Sequence, residues 1–209
     1  MLRYPSETLK EQLAKGLYQL GHSETVNTDL LLDYLALLKK WNQAYNLTAI
    51  RDEQAMVSLH LLDSLAIVPW LEGHSILDVG TGAGLPGIPI AIARPDLKIT
   101  LLDSCGKKTY FLQEVKRALG LQNIEVIHSR AETYYPPQPF ETIICRALSE
   151  VAQILTWTKH LLADRGQWIL MKGKTPYQEL ASISYPYTTC KYTVPFIEGN
   201  RSCVVIKPF

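Results

Sequence analysis

The stretch Ser75-Ile76-Leu77-Asp78-Val79-Gly80-Thr81-Gly82-Ala83-Gly84-Leu85-Pro86-Gly87 decides how this chain folds. Residues 76–79 form a short apolar run of the kind a buried strand uses, and it leads straight into a turn rich in glycine. Without Cβ atoms at Gly80, Gly82 and Gly84, the backbone can turn tightly and a ligand can press against it. Residues 85–94 then carry a helical pattern, with Pro86 suited to the first helical turn, where an amide needs no intrahelical partner. Asp78 lies at the carboxyl end of the strand, the side on which open α/β sheets place their ligands.

Outward from this stretch the same alternation repeats. Residues 99–102 are a second apolar run ending in Asp103, and 107–119 read as helix. Further runs with β-branched or aromatic content fall at 124–127, 142–145 and 168–171, and a helical pattern covers 150–162. Near the end, 189–194 and 202–207 alternate like a closing antiparallel pair. Upstream the texture is helical: Leu9, Leu13, Leu17 and Leu20 recur at three- and four-residue spacing until Gly21. A second helix follows Thr28, with Leu31, Tyr34, Leu35, Leu38 and Trp41 as its apolar stripe. A third begins after Asp52, a good cap, and runs through Met56, His60, Leu61 and Leu65 to Pro69. Strand–helix alternation demands a mainly parallel sheet with helices on both faces. The expected architecture is an α/β doubly wound core over 73–209 with an N-terminal helical extension over 1–72, together one compact unit.

Composition bounds the function classes. With 209 residues, 47% hydrophobic and 20% charged, the chain can fill a core and has no disordered or low-complexity signature. No window reaches the apolar length of a membrane span, and MLRYPSETLKEQL lacks the apolar segment of a secretory signal. Cys105, Cys145, Cys190 and Cys203 form no C-x-x-C pair, which argues against structural zinc or a thiol redox motif and fits a reducing cytosol. A cytoplasmic protein without metal or membrane partner is the expectation. A net charge of +1 leaves nucleic acid open, because a polyanion needs a local basic face and not a global excess. Oligomeric state is not legible here, and a monomer is the default.

The glycines fit two cofactor classes. Gly82, Gly84 and Gly87 spell the dinucleotide fingerprint, and Asp103 stands where its ribose-binding acid belongs. Asp78 tips the balance: a carboxylate is awkward beside a pyrophosphate but suits the cationic methionine end of S-adenosylmethionine. Asp103 could accept from ribose hydroxyls in either case. Ala131 and Glu132 follow the third strand, the edge of an adenine pocket in this architecture, although Glu132 alone is as readily a solvated loop acid. Arg146 follows the fourth strand, where substrate meets cofactor, with a surface arginine as the alternative. Cys145 is read as an ordinary strand cysteine, His60 as a core histidine, and Trp41 with Tyr45 as core spacing. Basic pairs at Lys39/Lys40, Lys107/Lys108, Lys116/Arg117 and Lys172/Lys174 allow a phosphate-contacting rim.

With these residues in place, the sequence resembles the RsmG family of 16S ribosomal RNA guanine-N7 methyltransferases, formerly glucose-inhibited division protein B. The resemblance spans nearly the whole chain. It rests on Lys40-Trp41-Asn42, Tyr45-Asn46-Leu47-Thr48, His60-Leu61-Leu62-Asp63-Ser64 and the extended glycine turn from Asp78. Leu102-Asp103-Ser104, Lys107-Lys108, Ser129-Arg130-Ala131-Glu132, Arg146-Ala147, Lys172-Gly173 and Arg201 continue it in order. It implies a seven-stranded Rossmann-like methyltransferase fold and methyl transfer to N7 of one guanine, conventionally position 527, in the small-subunit rRNA. Cofactor contacts carry over to Gly80, Leu85, Asp103, Ala131, Glu132 and Arg146, and RNA contacts to Lys172 and Arg201. Cys145 and the pair Cys105-Gly106 depart from the more usual family residues, and neither touches the glycine turn.

Guanine N7 has a lone pair and no proton, so the expected mechanism is positioning with no catalytic base. A major-groove edge in paired RNA is hard to reach, so the target should lie in an unpaired or distorted region. The rivals are an NAD-linked oxidoreductase, a non-catalytic RNA-binding assembly factor, and a methyltransferase acting on protein or small molecules. The segment Cys145-Arg146-Ala147 lacks the motif of amino-nitrogen methyltransferases, which weakens the last.

Overall fold

A computed structural model describes residues 7–22 and 26–208 of the chain. The first six residues of the amino-terminal stretch read for a leader lie outside the described residues.

The sheet has seven strands: β1 (Ser75–Val79), β2 (Lys98–Asp103), β3 (Ile124–His128), β4 (Phe140–Arg146), β5 (Leu162–Lys172), β6 (Tyr187–Tyr192) and β7 (Arg201–Ile206). Their order is β3-β2-β1-β4-β5-β7-β6. The first five are parallel, and β7 runs antiparallel to both β5 and β6. The closing pair is therefore present, with β7 inside the sheet and β6 on its edge. Successive strands step away on either side of the β1/β4 boundary, and at such a reversal the loops part to leave a crevice at the carboxyl ends.

The parallel strands read as unbroken apolar runs because both faces are covered. Ile76, Ile99, Leu101, Ile144 and Ile169 pack in one buried cluster. Leu77, Leu102, Ile143, Trp168 and Leu170 point into the other. On the first face lie α1 (Glu7–Gln19), α2 (Thr28–Tyr45), α5 (Gly87–Ala93) and α6 (Gly106–Leu119). On the second lies α7 (Val151–Thr158), through Val151, Ile154 and Leu155. Leu9, Leu13 and Leu17 of α1 and Leu31, Leu35 and Leu38 of α2 are buried in the same cluster as β1, so the amino-terminal helices share the core of the sheet.

Local details differ from the sequence reading in three places. Asn27 caps α2, its side chain accepting from Leu30 N at 3.1 Å, so Thr28 is the first helical residue. The glycine turn runs further than expected: α5 begins at Gly87, and Pro86 caps it from outside after a cis Leu85–Pro86 bond. The third amino-terminal helix is composite. Asp52 caps α3 (Glu53–Met56) as expected, Val57–Leu62 forms a π-helical turn, and α4 (Asp63–Leu65) resumes the normal winding. At its end the Asp63 amide donates to Ser58 O, five residues back. A π turn adds a residue to one winding and re-aims the side chains around it. Here it carries His60 and directly precedes Asp63, both buried.

Candidate functional site

The glycine turn is built by hydrogen bonds reaching back from β2. Gly80 N and Thr81 N both donate to Leu102 O, at 2.8 and 3.1 Å, and Gly82 N donates to Asp103 Oδ2 at 2.9 Å. Gly80, Gly82 and Gly84 have φ of +65°, +62° and +95°, a region that side chains disfavour. Tyr34 of α2 donates its phenol to Ala83 O at 2.9 Å, so the amino-terminal helices hold the turn from the far side.

Asp78 lies beneath this turn and is fully buried. Its Oδ2 accepts from Thr81 Oγ1 at 2.6 Å and from Gly87 N at 2.9 Å, while Oδ1 has no hydrogen-bond partner among the described residues. Burial lifts the carboxyl to about 6, against the pull of those two hydrogen bonds. Asp103, at the end of β2, accepts from Gly82 N through Oδ2 and from Cys105 N through Oδ1, and Lys108 Nζ stands 3.7 Å away.

At the strand ends lie two adjoining hollows. The first, of about 330 Å³, is walled by Gly80, Asp103, Ala131 and Glu132 from the sequence candidates, with Leu148 and Trp157 as apolar walls that the sequence did not single out. The second, of about 350 Å³, takes Arg146, Lys172 and Arg201, joined by His60, Asp63 and Tyr192. Ala147, held at φ +51° just past β4, walls both. Asp78, Gly82, Gly84 and Leu85 belong to the turn and its underside and line neither hollow. A larger hollow of about 640 Å³ beside α1 and α3 holds none of the candidates.

The second hollow is cationic around one buried acid. Arg146 Nη1 donates to Leu59 O at 3.0 Å and stands 3.5 Å from Asp63 Oδ2. Arg201 Nε is 3.7 Å from Asp63 Oδ1, and the Tyr192 hydroxyl is 3.3 Å from the same oxygen. Burial raises the Asp63 carboxyl above its ordinary value even with both arginines present. Lys172 Nζ is engaged by Ser149 O at 3.1 Å and by Glu179 Oε2 at 2.9 Å, the latter from the single-turn α8 (Tyr177–Leu180). Burial, and then the Arg146 charge, push His60 down to about 4, so its ring is neutral at physiological pH. Cys145 is buried, which pushes its thiol up to about 12 and leaves no thiolate for nucleophilic attack.

Why the amino-terminal motifs are needed becomes visible here. Asn42 grips the loop after α2 at both ends of its amide, Nδ2 donating to Thr48 O and Oδ1 accepting from Thr48 N, each at 2.9 Å. Thr48 Oγ1 in turn meets His60 Nε2 at 2.9 Å. This chain of contacts fixes one wall of the second hollow. Asn42→Ala should lower stability by about 2 kcal/mol, since two hydrogen bonds of a nearly buried amide are lost. It should weaken ligand binding in the second hollow more than in the first. Denaturant melts and steady-state kinetics check both parts, and unchanged values in both would remove Asn42 as the loop's anchor.

The sheet order, the reversed β7 and a glycine-and-acid cleft at the β1/β4 switch point define the Rossmann-like fold of S-adenosylmethionine-dependent methyltransferases. Among solved structures, a SAM-dependent methyltransferase from Aquifex aeolicus superposes with a TM-score of 0.55 at 20% identity, covering 74% of this chain and 93% of that one. The family model described as rRNA small subunit methyltransferase G matches residues 27–204. A ribosomal RNA small subunit methyltransferase G of Legionella pneumophila is 59% identical over 178 residues, 85% of this chain and 86% of the relative. That of Chromobacterium violaceum is 50% identical over 198 residues, 92% and 95% of the two chains. The chain belongs to the rRNA small subunit methyltransferase G family. Membership does not favour the nicotinamide reading of the same glycines.

Proposed function

We propose that the chain transfers the methyl group of S-adenosylmethionine to N7 of a guanine in 16S rRNA of the small ribosomal subunit, at conventional position 527. The observation that carries this reading is the pair of hollows meeting at Ala147: a glycine-floored cleft with a strand-end acid, and beside it a pocket ringed by Arg146, Lys172 and Arg201.

The residues present fit the cofactor. A Cβ on Gly80 would sit 2.5 Å from Leu148 Cδ1, so any side chain there pushes Leu148 into the cleft that it walls. Beneath the turn the buried Asp78 carboxylate is held by Thr81 Oγ1 and Gly87 N, and its negative charge suits the cationic methionine end. Bound there, S-adenosylmethionine supplies an electrophilic methyl group on a sulfonium. Asp103 accepts from the ribose hydroxyls, and Ala131 and Glu132 border the adenine. Gly82, Gly84 and Leu85 shape the turn that carries Gly80, and Arg146 bounds the cleft on the substrate side. Lys172 and Arg201 hold RNA phosphate or base edges. No side chain need take a proton from N7, so the protein's work is alignment.

In this reading residues 1–72 are an appendage that frames the RNA entrance, and 73–209 carry the chemistry, both within one unit. The shared core and the Tyr34 contact support that. The reading further takes the chain to be a cytoplasmic enzyme working as a monomer on ribosomal subunits; among the described residues no helix is long and apolar enough to cross a membrane.

The test uses small subunits from cells lacking the modification, labelled S-adenosylmethionine, and 7-methylguanine mapping by borohydride reduction and aniline cleavage. One new cleavage at the expected guanine supports cofactor, reaction and target together. Label at another nucleotide removes the target, and no label despite cofactor binding favours a binding factor.

A further inference from the structure

Asp63 is the acid in a pocket whose lining also holds Arg146, Lys172 and Arg201, and none of its partners is close. Charge-assisted hydrogen bonds settle at roughly 2.7–2.9 Å. Its contacts to Tyr192, Arg146 and Arg201 are at 3.3, 3.5 and 3.7 Å. A carboxylate that is only 5% exposed and served solely to pin two arginines would be expected to draw them in. His60, on the same wall, is tied to Thr48 Oγ1 through Nε2 at 2.9 Å, and its Nδ1 is buried away from the hollow. The wall thus offers a carboxylate held only by long contacts beside Arg146, an acceptor placed to meet the edge of a planar polar ligand in this hollow.

The chemistry of the proposed reaction says what such an acceptor is for, and the inference rests on that reading. The N7 lone pair forms the new bond to the methyl carbon, the carbon–sulfur bond breaks, and its electron pair stays on sulfur. No proton moves. The positive charge leaves the sulfonium and appears on the purine as N7-methylguaninium. A pocket holding only Arg146, Lys172 and Arg201 would oppose that arriving charge. As the charge spreads through the ring, N1–H and the 2-amino group become stronger donors. A carboxylate accepting from them binds the transition state better than the ground state, which is the condition for catalysis.

We propose that Asp63 reads the target base, its carboxylate accepting from guanine N1–H and the 2-amino group and stabilising the guaninium that methylation creates. N7 lies on the opposite edge of the base, free to face the cofactor cleft that shares Ala147 with this pocket. Adenine offers neither donor, so the same contact rejects it by leaving a buried acceptor unmatched.

The experiment is a cycle between enzyme and substrate. Wild type and Asp63→Asn are assayed on reconstituted small subunits carrying guanine or inosine at the target, inosine lacking the 2-amino group. Asp63→Asn should lose about 100-fold in kcat on guanine, the scale of one removed transition-state contact. Its S-adenosylmethionine affinity should stay within about twofold. Wild type should lose roughly tenfold on inosine, a loss that largely vanishes in Asp63→Asn because the contact is already gone. Asp63→Glu should recover part of the rate. Independent losses that simply multiply, or a variant whose rate, melting temperature and cofactor affinity fall together, would overturn the base-reading role. A wild-type enzyme that fails to label guanine removes the proposed function, and this inference with it. A wild type that labels guanine beside an Asp63→Asn variant within threefold of it removes this inference alone.

Discussion

Gly80→Val is expected to leave a folded protein that binds S-adenosylmethionine at least about 100-fold more weakly, with methyl transfer lost in proportion. Two costs combine. The backbone at Gly80 has φ +65°, where a branched side chain is strained by roughly 1–2 kcal/mol. The new Cβ would also lie 2.5 Å from Leu148 Cδ1. Leu148 is half-exposed and can move, but it walls the cleft itself, so its displacement and the two added methyl groups both encroach on the ligand's space. Overpacking of this kind costs about 1–3 kcal/mol, and each 1.4 kcal/mol is tenfold in affinity. Gly21→Val is the control: φ is +75° there too, yet no described residue lies within 4 Å of the added Cβ. It should lower stability while leaving cofactor affinity unchanged. Calorimetric titration reads both variants, and a Gly80→Val protein binding within threefold of wild type would remove the turn from the cofactor floor.

The fold was legible in the sequence where one signal repeated. The β1, β2 and β3 runs, the α6 pattern and the Asp52 cap all fall within a residue or two of their observed limits, because a strand buried on both faces is an unbroken apolar run. The long β5 was read at 168–171 only. Its first half, from Leu162, contains Asp164, Arg165 and Gly166, which look like a turn, and its pairing with β4 is irregular there. The helix α8 spans a single turn, too short to show a period, although Glu179 from it engages Lys172.

For the site, the glycine turn and the strand-end acids stood out because they break the apolar pattern around them. Asp63 did not. It sits in a stretch whose spacing reads as ordinary helix, and a π turn changes the winding too little for one sequence to reveal. Its partners Arg146 and Tyr192 lie 83 and 129 residues further along, a distance only the folded sheet closes. His60 was read as a core histidine and is buried, but it also walls the second hollow. Leu148 and Trp157 carry no chemistry of their own, so their place on the cleft wall was visible only in three dimensions.

Arg146→Ala should cost both stability and activity, and the stability loss should depend on pH in a definite direction. The guanidinium satisfies Leu59 O at 3.0 Å and is one of two arginine charges near Asp63. Removing it leaves a buried carboxylate facing Arg201 alone, at a cost of about 2 kcal/mol near neutral pH. Burial already raises the Asp63 carboxyl above its unfolded value of 3.8, and loss of Arg146 raises it further. An acid with a raised folded pKa costs stability where it must ionise, and that cost disappears as pH falls through the folded value. His60 acts in the same sense: Arg146 helps push it down to about 4, so its absence relieves part of the acid destabilisation that wild type suffers below about pH 6.5. Asp78, which Arg146 also holds down, moves upward as Asp63 does. All three shifts make the deficit of Arg146→Ala largest at pH 7 and smaller at pH 5. Adding Asp63→Asn should restore part of the stability at pH 7 while methyl transfer stays more than about 100-fold down, because the buried charge is gone but the pocket is still broken. Urea melts of wild type and of the two variants at both pH values decide it. A deficit that is equal at both pH values and is not reduced by Asp63→Asn would show that Arg146 supports the fold through Leu59 O and packing, and not through the buried acid.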